Sequence, residues 1–123
     1  MTKSFFFDTY ALIEIGKDND NYKLYKKNIK ILVTMLNLME IAYFLIRENK
    51  EGEIEEIFNK LSRFAIPYTK KILIDAAKMK YQYKKARLSY IDCIGYILAK
   101  NHKVKFLTGD EKFKGMENVE FVK

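Results

Sequence analysis

The chain has 123 residues, 49% of them hydrophobic and 15% aromatic, which is enough apolar material for one core, so we expect residues 1–123 to form a single domain. Its formal net charge of +7 suits a polyanionic partner such as nucleic acid, although Lys-rich helix faces are often merely solvated. No apolar run reaches the ~20 residues that span a bilayer, and no signal-peptide pattern is present, so we expect a cytoplasmic protein. The lone Cys93 fits a reducing compartment and a packing role rather than a disulfide or metal pair.

The first predicted strand is the unbroken apolar run from Ser4 to Phe7, which ends at Asp8. A strand that is apolar on both faces must be covered on both faces, as in parallel sheets flanked by helices. Asp8 would then lie at the carboxyl end of a central strand. In open α/β sheets this edge is where ligands bind.

Strands and helices alternate along the rest of the chain. The predicted strands are residues 4–7, 31–33, 64–66, 104–107 and 119–122, the last with the alternating character of an edge strand. The predicted helices are residues 9–15, 22–28, 37–49, 51–63, 69–85 and 89–101. Asn37-x-x-Glu40 and Ser89-x-x-Asp92 have the spacing of a capping box, and Thr69 is a further cap. The alternation predicts an α/β fold with a mostly parallel five-stranded sheet.

Four acidic residues follow strands or begin helices in this prediction. Asp8 ends the first strand, Asp110 follows the fourth, and Glu40 and Asp92 lie in the first turns of helices. If the first strand is central, with the second and fourth beside it, all four can converge at one edge of the sheet. Each acid taken alone is better explained as a helix cap or a turn residue, because caps are common.

Convergence of these acids would have a chemical consequence. Carboxylates about 4 Å apart repel by roughly 4 kcal/mol per pair at an effective dielectric constant near 20, so a cluster needs protons or a cation. Hard oxygen ligands favour Mg²⁺ or Mn²⁺. A metal of this kind activates water and offsets charge on a phosphodiester. The acids therefore predict a divalent-metal phosphodiesterase.

A basic cluster precedes the third acid. It comprises Lys78, Lys80, Lys84, Lys85 and Arg87, with Tyr81 and Tyr83 between them. Lysines can bind a phosphate backbone while tyrosines stack on bases, which predicts a nucleic-acid contact. A solvated helix end explains the same residues equally well.

Four segments together resemble the PIN domain family, in particular VapC-type toxin ribonucleases. They are Phe5-Phe6-Phe7-Asp8-Thr9, Asn37-Leu38-Met39-Glu40-Ile41, Leu88-Ser89-Tyr90-Ile91-Asp92 and Leu107-Thr108-Gly109-Asp110-Glu111-Lys112-Phe113. Their order and spacing cover essentially the whole chain. The resemblance implies a three-layer α/β/α fold, Mg²⁺ or Mn²⁺ held by Asp8, Glu40, Asp92 and Asp110, and endonucleolytic cleavage of RNA.

The same resemblance implies supporting residues and partners. Thr9 agrees with the hydroxyl that follows the family's first acid, whereas Tyr10 departs from the small polar residue expected next. Thr108 and Ser89 match hydroxyls near the last and third acids, although Ser89 is also a helix cap. A homodimer is implied, together with an inhibitory antitoxin that occupies the groove. Because an acidic cleft attracts a cation, we expect an Arg or Lys of that partner to compete with the metal at the four acids. The antitoxin's apolar segment would contact helices around Leu12, Ile54 and Phe58, for which core packing is the competing explanation.

Other functions are less compatible with the residues. A phosphotransfer phosphatase needs a second Asp where Tyr10 stands, and a receiver domain needs an acceptor Asp after the third strand. A nucleophilic triad has only His102 to draw on, at a polar helix end. Two alternatives remain open: a catalytically silent nucleic-acid or protein-binding module on the same fold, and an RNA-processing nuclease that is not a toxin.

Overall fold

A computed structural model describes residues 2–123, and its centre is a parallel four-stranded sheet. The strands are β1 (Lys3–Phe7), β2 (Ile29–Leu32), β3 (Lys105–Thr108) and β4 (Val119–Phe121). Their order is β2-β1-β3-β4, and all three pairings are parallel. The first strand is therefore central and the last lies at an edge, as predicted from the sequence.

Within residues 2–123, five α-helices cover the sheet. They are α1 (Thr9–Gly16), α2 (Met35–Arg47), α3 (Ile54–Leu61), α4 (Lys70–Gln82) and α5 (Tyr90–Asn101), with short 3₁₀ turns at Asp20–Tyr25, Glu51–Glu53, Ser62–Phe64, Lys84–Ala86 and Glu111–Phe113. Among residues 2–123 no helix is long and apolar enough to cross a membrane.

The apolar run of β1 builds two separate cores because successive side chains of a strand point to opposite faces. Phe6 packs with residues of α4 and α5, including the buried Cys93. Phe5 and Phe7 pack with residues of α1 and α2. At Gly95 a Cβ atom would lie 2.7 Å from the Phe6 ring, so α5 can approach the sheet closely only with glycine there. The result is the predicted three-layer α/β/α fold.

The prediction of a third strand at residues 64–66 is wrong. Ala65 forms only an isolated parallel bridge with Val33. The residues before it, Ser62–Phe64, form a 3₁₀ turn, and Pro67 after it has no N–H to donate. Pairing therefore stops after one residue, and the sheet has four strands instead of five.

Several predicted helices also differ from the structure, and the one predicted over residues 51–63 is α-helical only over Ile54–Leu61. Residues 22–28 do not form an α-helix; a 3₁₀ turn, Asp20–Tyr25, holds Tyr22 in the core, where its hydroxyl donates to the Val122 carbonyl. Helix α4 ends at Gln82, before a separate turn. Helix α2 begins earlier than predicted because Thr34, directly after the strand, is its N-cap and forms the capping box with Asn37.

Candidate active site

Asp8 lies at the carboxyl end of the central strand and is only 3% exposed. Its N–H donates to the Leu107 carbonyl at 3.0 Å, which extends the pairing of β1 with β3 by one residue. Its carboxylate accepts the Thr9 N–H at 2.9 Å and the Thr108 hydroxyl at 2.7 Å. Asp8 is thus the N-cap of α1 and at the same time a buried acid at the sheet edge.

Thr108 connects the first and last acids. This fully buried residue ends β3, donates its hydroxyl to Asp8 and accepts the Asp110 N–H at 3.0 Å. The Asp110 carboxylate in turn accepts the Lys112 N–H at 3.0 Å and so caps the following 3₁₀ turn. One hydroxyl group therefore links the backbone of Asp110 to the carboxylate of Asp8.

Glu40 is held by a series of connected hydrogen bonds that the sequence pattern did not predict. The Thr9 hydroxyl donates to the Glu40 carboxylate, and the Asn37 amide donates to the Thr9 oxygen at 3.0 Å. The side-chain amide oxygen of Asn37, Oδ1, accepts the Thr34 N–H at 3.0 Å and the Thr34 hydroxyl at 2.8 Å. Asn37 is 1% exposed, and its side chain both completes the capping box of α2 and orders the site through its hydrogen bond to Thr9.

This arrangement corrects the prediction for Glu40. Because α2 begins at Met35, Glu40 lies in the second turn and is no capping-box acid. The sequence contained a signal for the correct boundary, since Thr34-x-x-Asn37 has capping spacing and Thr34 directly follows an apolar run.

Asp92 occupies the capping box predicted for α5. Its carboxylate accepts the Ser89 N–H at 2.9 Å, and the Ser89 hydroxyl accepts the Asp92 N–H at 3.0 Å. This pair fixes the carboxylate at the positive end of the helix, where a negative charge is favourable.

The four acids share one electrostatic environment. Burial raises the pKa of Asp8 to about 8, and the charges of Asp92 and Glu40 add to the rise, against hydrogen bonds from Thr108 and Thr9. Burial also raises the pKa of Glu40, with Asp92 adding to it. The pKa of Asp92 is raised by burial and by the charge of Asp110. The structure therefore brings the four predicted acids to one edge of the sheet.

The donor set fits a hard divalent cation. Within residues 2–123 every ion pair involves other acids, so no basic side chain lies within 4.0 Å of these four carboxylates. All candidate ligands are oxygen atoms, which Mg²⁺ and Mn²⁺ prefer. Over the same residues, no group of three or more His, Cys, Asp or Glu side chains is arranged closely enough to hold a metal ion. The match to a cation is one of charge and ligand chemistry.

The basic cluster predicted before Asp92 divides over two faces. Lys80, Lys84 and Arg87 line one pocket, whereas Lys78 lines another with Asp75 on the far face of α4. Lys80 is half-buried and donates to the Leu88 carbonyl at 2.6 Å. Lys85 is exposed. The five basic residues therefore do not line one pocket. Lys78 and Lys80 lie within α4 and line different pockets, whereas Lys84, Lys85 and Arg87 follow the end of that helix.

Lys112 and Tyr90 also lie at this edge and were not singled out as site residues from the sequence. The positive charge of Lys112 lowers the pKa of Asp92, against the larger effect of burial. Its ammonium donates to the Arg87 carbonyl at 3.3 Å. Lysine and tyrosine are common on surfaces, so no sequence signal distinguished these two.

The chain is similar to a known domain family and to several solved structures. The family model described as PIN domain matches residues 5–119. No curated protein sequence is significantly similar to the chain. A chain of a toxin-antitoxin complex from Klebsiella pneumoniae has a TM-score of 0.74 and 21% identity, covering 94% of each chain.

Two further solved structures have the same fold. A chain of VapBC2 from Rickettsia felis, bound to a DNA fragment from their promoter, has a TM-score of 0.70 and 21% identity, covering 98% of this chain and 99% of that one. PAE2754 from Pyrobaculum aerophilum has a TM-score of 0.67 and 13% identity, covering 98% of this chain and 92% of that one. At such identities these structures establish a shared fold.

Proposed function

The chain belongs to the PIN domain family, and we propose that it is a divalent-metal-dependent endoribonuclease, the VapC-type toxin of a toxin-antitoxin pair. PIN domains are generally nucleases. The observation that supports this function best is Asp8, a buried carboxylate at the carboxyl end of the central strand. The charges of Asp92 and Glu40 raise its pKa, and the charge of Asp110 in turn raises the pKa of Asp92. Burial of such charge is costly unless a cation or proton compensates it.

The roles of the residues follow from their contacts. Asp8, Glu40, Asp92 and Asp110 would hold Mg²⁺ or Mn²⁺. A bound ion of this type activates water and offsets the charge that develops on a phosphodiester. Thr9, Thr108 and Ser89 hold three of the carboxylates in fixed orientations by the hydrogen bonds described above. Asn37 fixes Thr9 in turn.

RNA would approach from the basic side of this edge. The chain has a net charge of +7 although the site itself is acidic, so its remaining surface attracts a polyanion. Lys84, Lys85 and Arg87 are exposed on the turn between α4 and α5, close in sequence to Asp92. We assign backbone contacts to them, with Lys80 and Lys78 as less direct contributors.

The first test is cleavage of single-stranded RNAs by purified protein in Mn²⁺ and in EDTA. Cleavage in Mn²⁺ that EDTA abolishes is expected, because the acids alone repel a phosphodiester. Cleavage that persists in EDTA would contradict the proposal. RNA binding without cleavage in any divalent metal would indicate the silent binding module instead.

The proposed partner is an antitoxin, as in the toxin-antitoxin complexes from Klebsiella pneumoniae and Rickettsia felis. An acidic site invites an Arg or Lys from the partner, which would compete with the metal. An apolar pocket of 350 Å³ between α1, α2 and α3, lined in part by Leu12, Ile41 and Ile57, would take the partner's apolar segment. Ile54 and Phe58 pack against the adjoining core. A homodimer belongs to the same proposal.

Co-expression with the product of the adjacent gene tests the partner. Size-exclusion chromatography should show a complex, and the complex should cleave RNA more slowly than the free protein. If no neighbour binds, or if a bound neighbour leaves cleavage undiminished, the toxin assignment fails and an RNA-processing nuclease replaces it.

A further inference from the structure

A pocket of 330 Å³ lies between the end of α4 and the start of α5. It is lined by Tyr81 and Tyr90, by the apolar Leu88, and by three charged residues, Lys80, Lys84 and Arg87, all of them basic. A concave surface that combines tyrosine rings with positive charge is complementary to a base and its phosphate.

Both tyrosine rings are unusually accessible. Tyr81 is 73% exposed and Tyr90 is 68% exposed. The Lys84 ammonium lies 4.7 Å from the centroid of the Tyr81 ring, and the Lys80 ammonium lies 4.8 Å from that of Tyr90. Each ring therefore holds a cation at one side while most of its surface remains free to stack. The cations would also attract the phosphate of a stacked nucleotide.

The loop that carries this pocket is fixed relative to the acids. Lys80 donates to the Leu88 carbonyl at 2.6 Å, and Lys112 donates to the Arg87 carbonyl at 3.3 Å. These two ammonium groups connect the loop to α4 and to the turn after β3. Tyr90 is the first residue of α5, two residues before Asp92. A base held here would belong to a strand that reaches the acidic edge.

We propose that this pocket binds an unpaired nucleobase of the RNA substrate, adjacent to the phosphodiester that the acids cut. The inference rests on the proposed nuclease function. An unpaired base has a free face for stacking, whereas a base within a duplex is already stacked on both sides. An acidic peptide would satisfy the lysines but leave both rings uncovered, so RNA matches the pocket better.

Binding of a fluorescein-labelled oligouridylate of about ten nucleotides, measured by anisotropy in EDTA, tests the pocket without cleavage. Tyr81→Ala and Tyr90→Ala should each raise Kd roughly 5- to 100-fold, while Tyr81→Phe and Tyr90→Phe stay close to the parent protein, because stacking needs only the ring. Tyr43→Ala is the matched control. Tyr43 is 63% exposed on α2 and has the Arg47 guanidinium 5.3 Å from its ring, yet it lies outside the pocket.

An abasic sugar-phosphate oligomer of equal length separates stacking from charge. Its affinity should be unchanged by Tyr81→Ala and lowered by Lys84→Ala. If Tyr81→Ala and Tyr90→Ala bind oligouridylate like Tyr43→Ala, or if the parent protein does not bind it, the pocket proposal is overturned. Melting temperatures of all variants identify any loss of fold. If an Ala variant does not fold, Tyr81→Leu or Tyr90→Leu takes its place, because leucine keeps apolar bulk but has no ring to stack, and it should also raise Kd.

Cleavage in Mn²⁺ distinguishes this proposal from the proposed function. The Ala variants should raise KM and leave kcat nearly unchanged, because the rings would bind a base of the substrate and not the reacting phosphate. If the parent protein binds through the tyrosines but never cleaves, the nuclease function fails and the base pocket stands. If the protein cleaves and neither tyrosine affects KM, the pocket alone fails.

Discussion

The carboxyl and amino ends of the same parallel sheet carry side chains of opposite charge. At the amino end, Lys3, Lys103 and Lys105 are exposed around a shallow pocket, and the acid there, Glu120, accepts the Tyr25 hydroxyl at 2.6 Å. At the carboxyl end, Asp8 is buried beside other acids. Solvated lysines cost little, whereas buried like charges oppose folding. The charges at the carboxyl end therefore lower the stability of the fold, and such unfavourable charges are typical of functional sites.

The largest expected effect is loss of cleavage when the buried charge is removed. Asp8→Asn should lower RNA cleavage in Mn²⁺ at least about 100-fold, since loss of a proposed metal ligand exceeds the loss of a residue that supports one. Glu120→Gln is the control at the other half of the sheet and should cleave like the parent protein. Initial rates on one RNA measure both. If the two variants cleave RNA at comparable rates, the carboxyl end of the sheet has no special role in cleavage.

A smaller loss is expected when the hydroxyl that orients Glu40 is removed. Thr9→Val breaks the hydrogen bonds to Glu40 and Asn37 and should lower cleavage roughly 10- to 100-fold. Thr9→Ser keeps the hydroxyl and should recover most of the activity. A Mn²⁺ titration adds a second readout, because a positioning role predicts weaker metal activation in Thr9→Val only. Unchanged cleavage and metal activation in Thr9→Val would show that the hydroxyl does not position Glu40.

Stability without metal should change in the opposite direction. In EDTA, Asp8→Asn should raise the free energy of unfolding by about 1 kcal/mol or more, equivalent to a few degrees in Tm. The folded-state pKa of Asp8 is raised to about 8, so the parent protein loses stability as the pH rises from about 4 through 8. The variant's advantage should therefore grow over that interval. Thermal melts at several pH values measure it, and a destabilised variant would make Asp8 a purely structural cap.

The smallest expected effect concerns salt. Reversing Lys84, Lys85 and Arg87 to Glu should reduce the slope of log affinity against log salt by about 0.7 per lost contact with single-stranded RNA. The same reversal at Lys3, Lys103 and Lys105 should leave the slope closer to that of the parent protein. Oligonucleotide binding at several salt concentrations provides the slopes. Identical slopes would mean that both groups are only solvated charges.

Much of the site was predictable because its signals are local. The apolar run before Asp8 and the Ser89-x-x-Asp92 spacing each place an acid at an element boundary without reference to the rest of the chain. Asp8, Asp92 and Asp110 do cap helices or turns in the structure, as the competing explanation held. Capping and membership of the site are compatible, since a helix start at the carboxyl end of a strand also faces the ligand edge.

The sequence by itself determined the α/β class and the central first strand, and it predicted the four acids as site residues, because burial periodicity and capping chemistry act within a few residues. Tertiary structure decided what depends on distant partners. Asn37 donates to Thr9, 28 residues away, and that contact could not be distinguished from a helix cap by spacing alone. Residues 64–66 are apolar like a strand, but a strand exists only where a neighbour continues the hydrogen bonds, and here pairing ends at Ala65. The Asn37 contact depends on how α2 is rotated against the rest of the fold, and the end of pairing at Ala65 depends on a distant strand. No local sequence pattern encodes either of them.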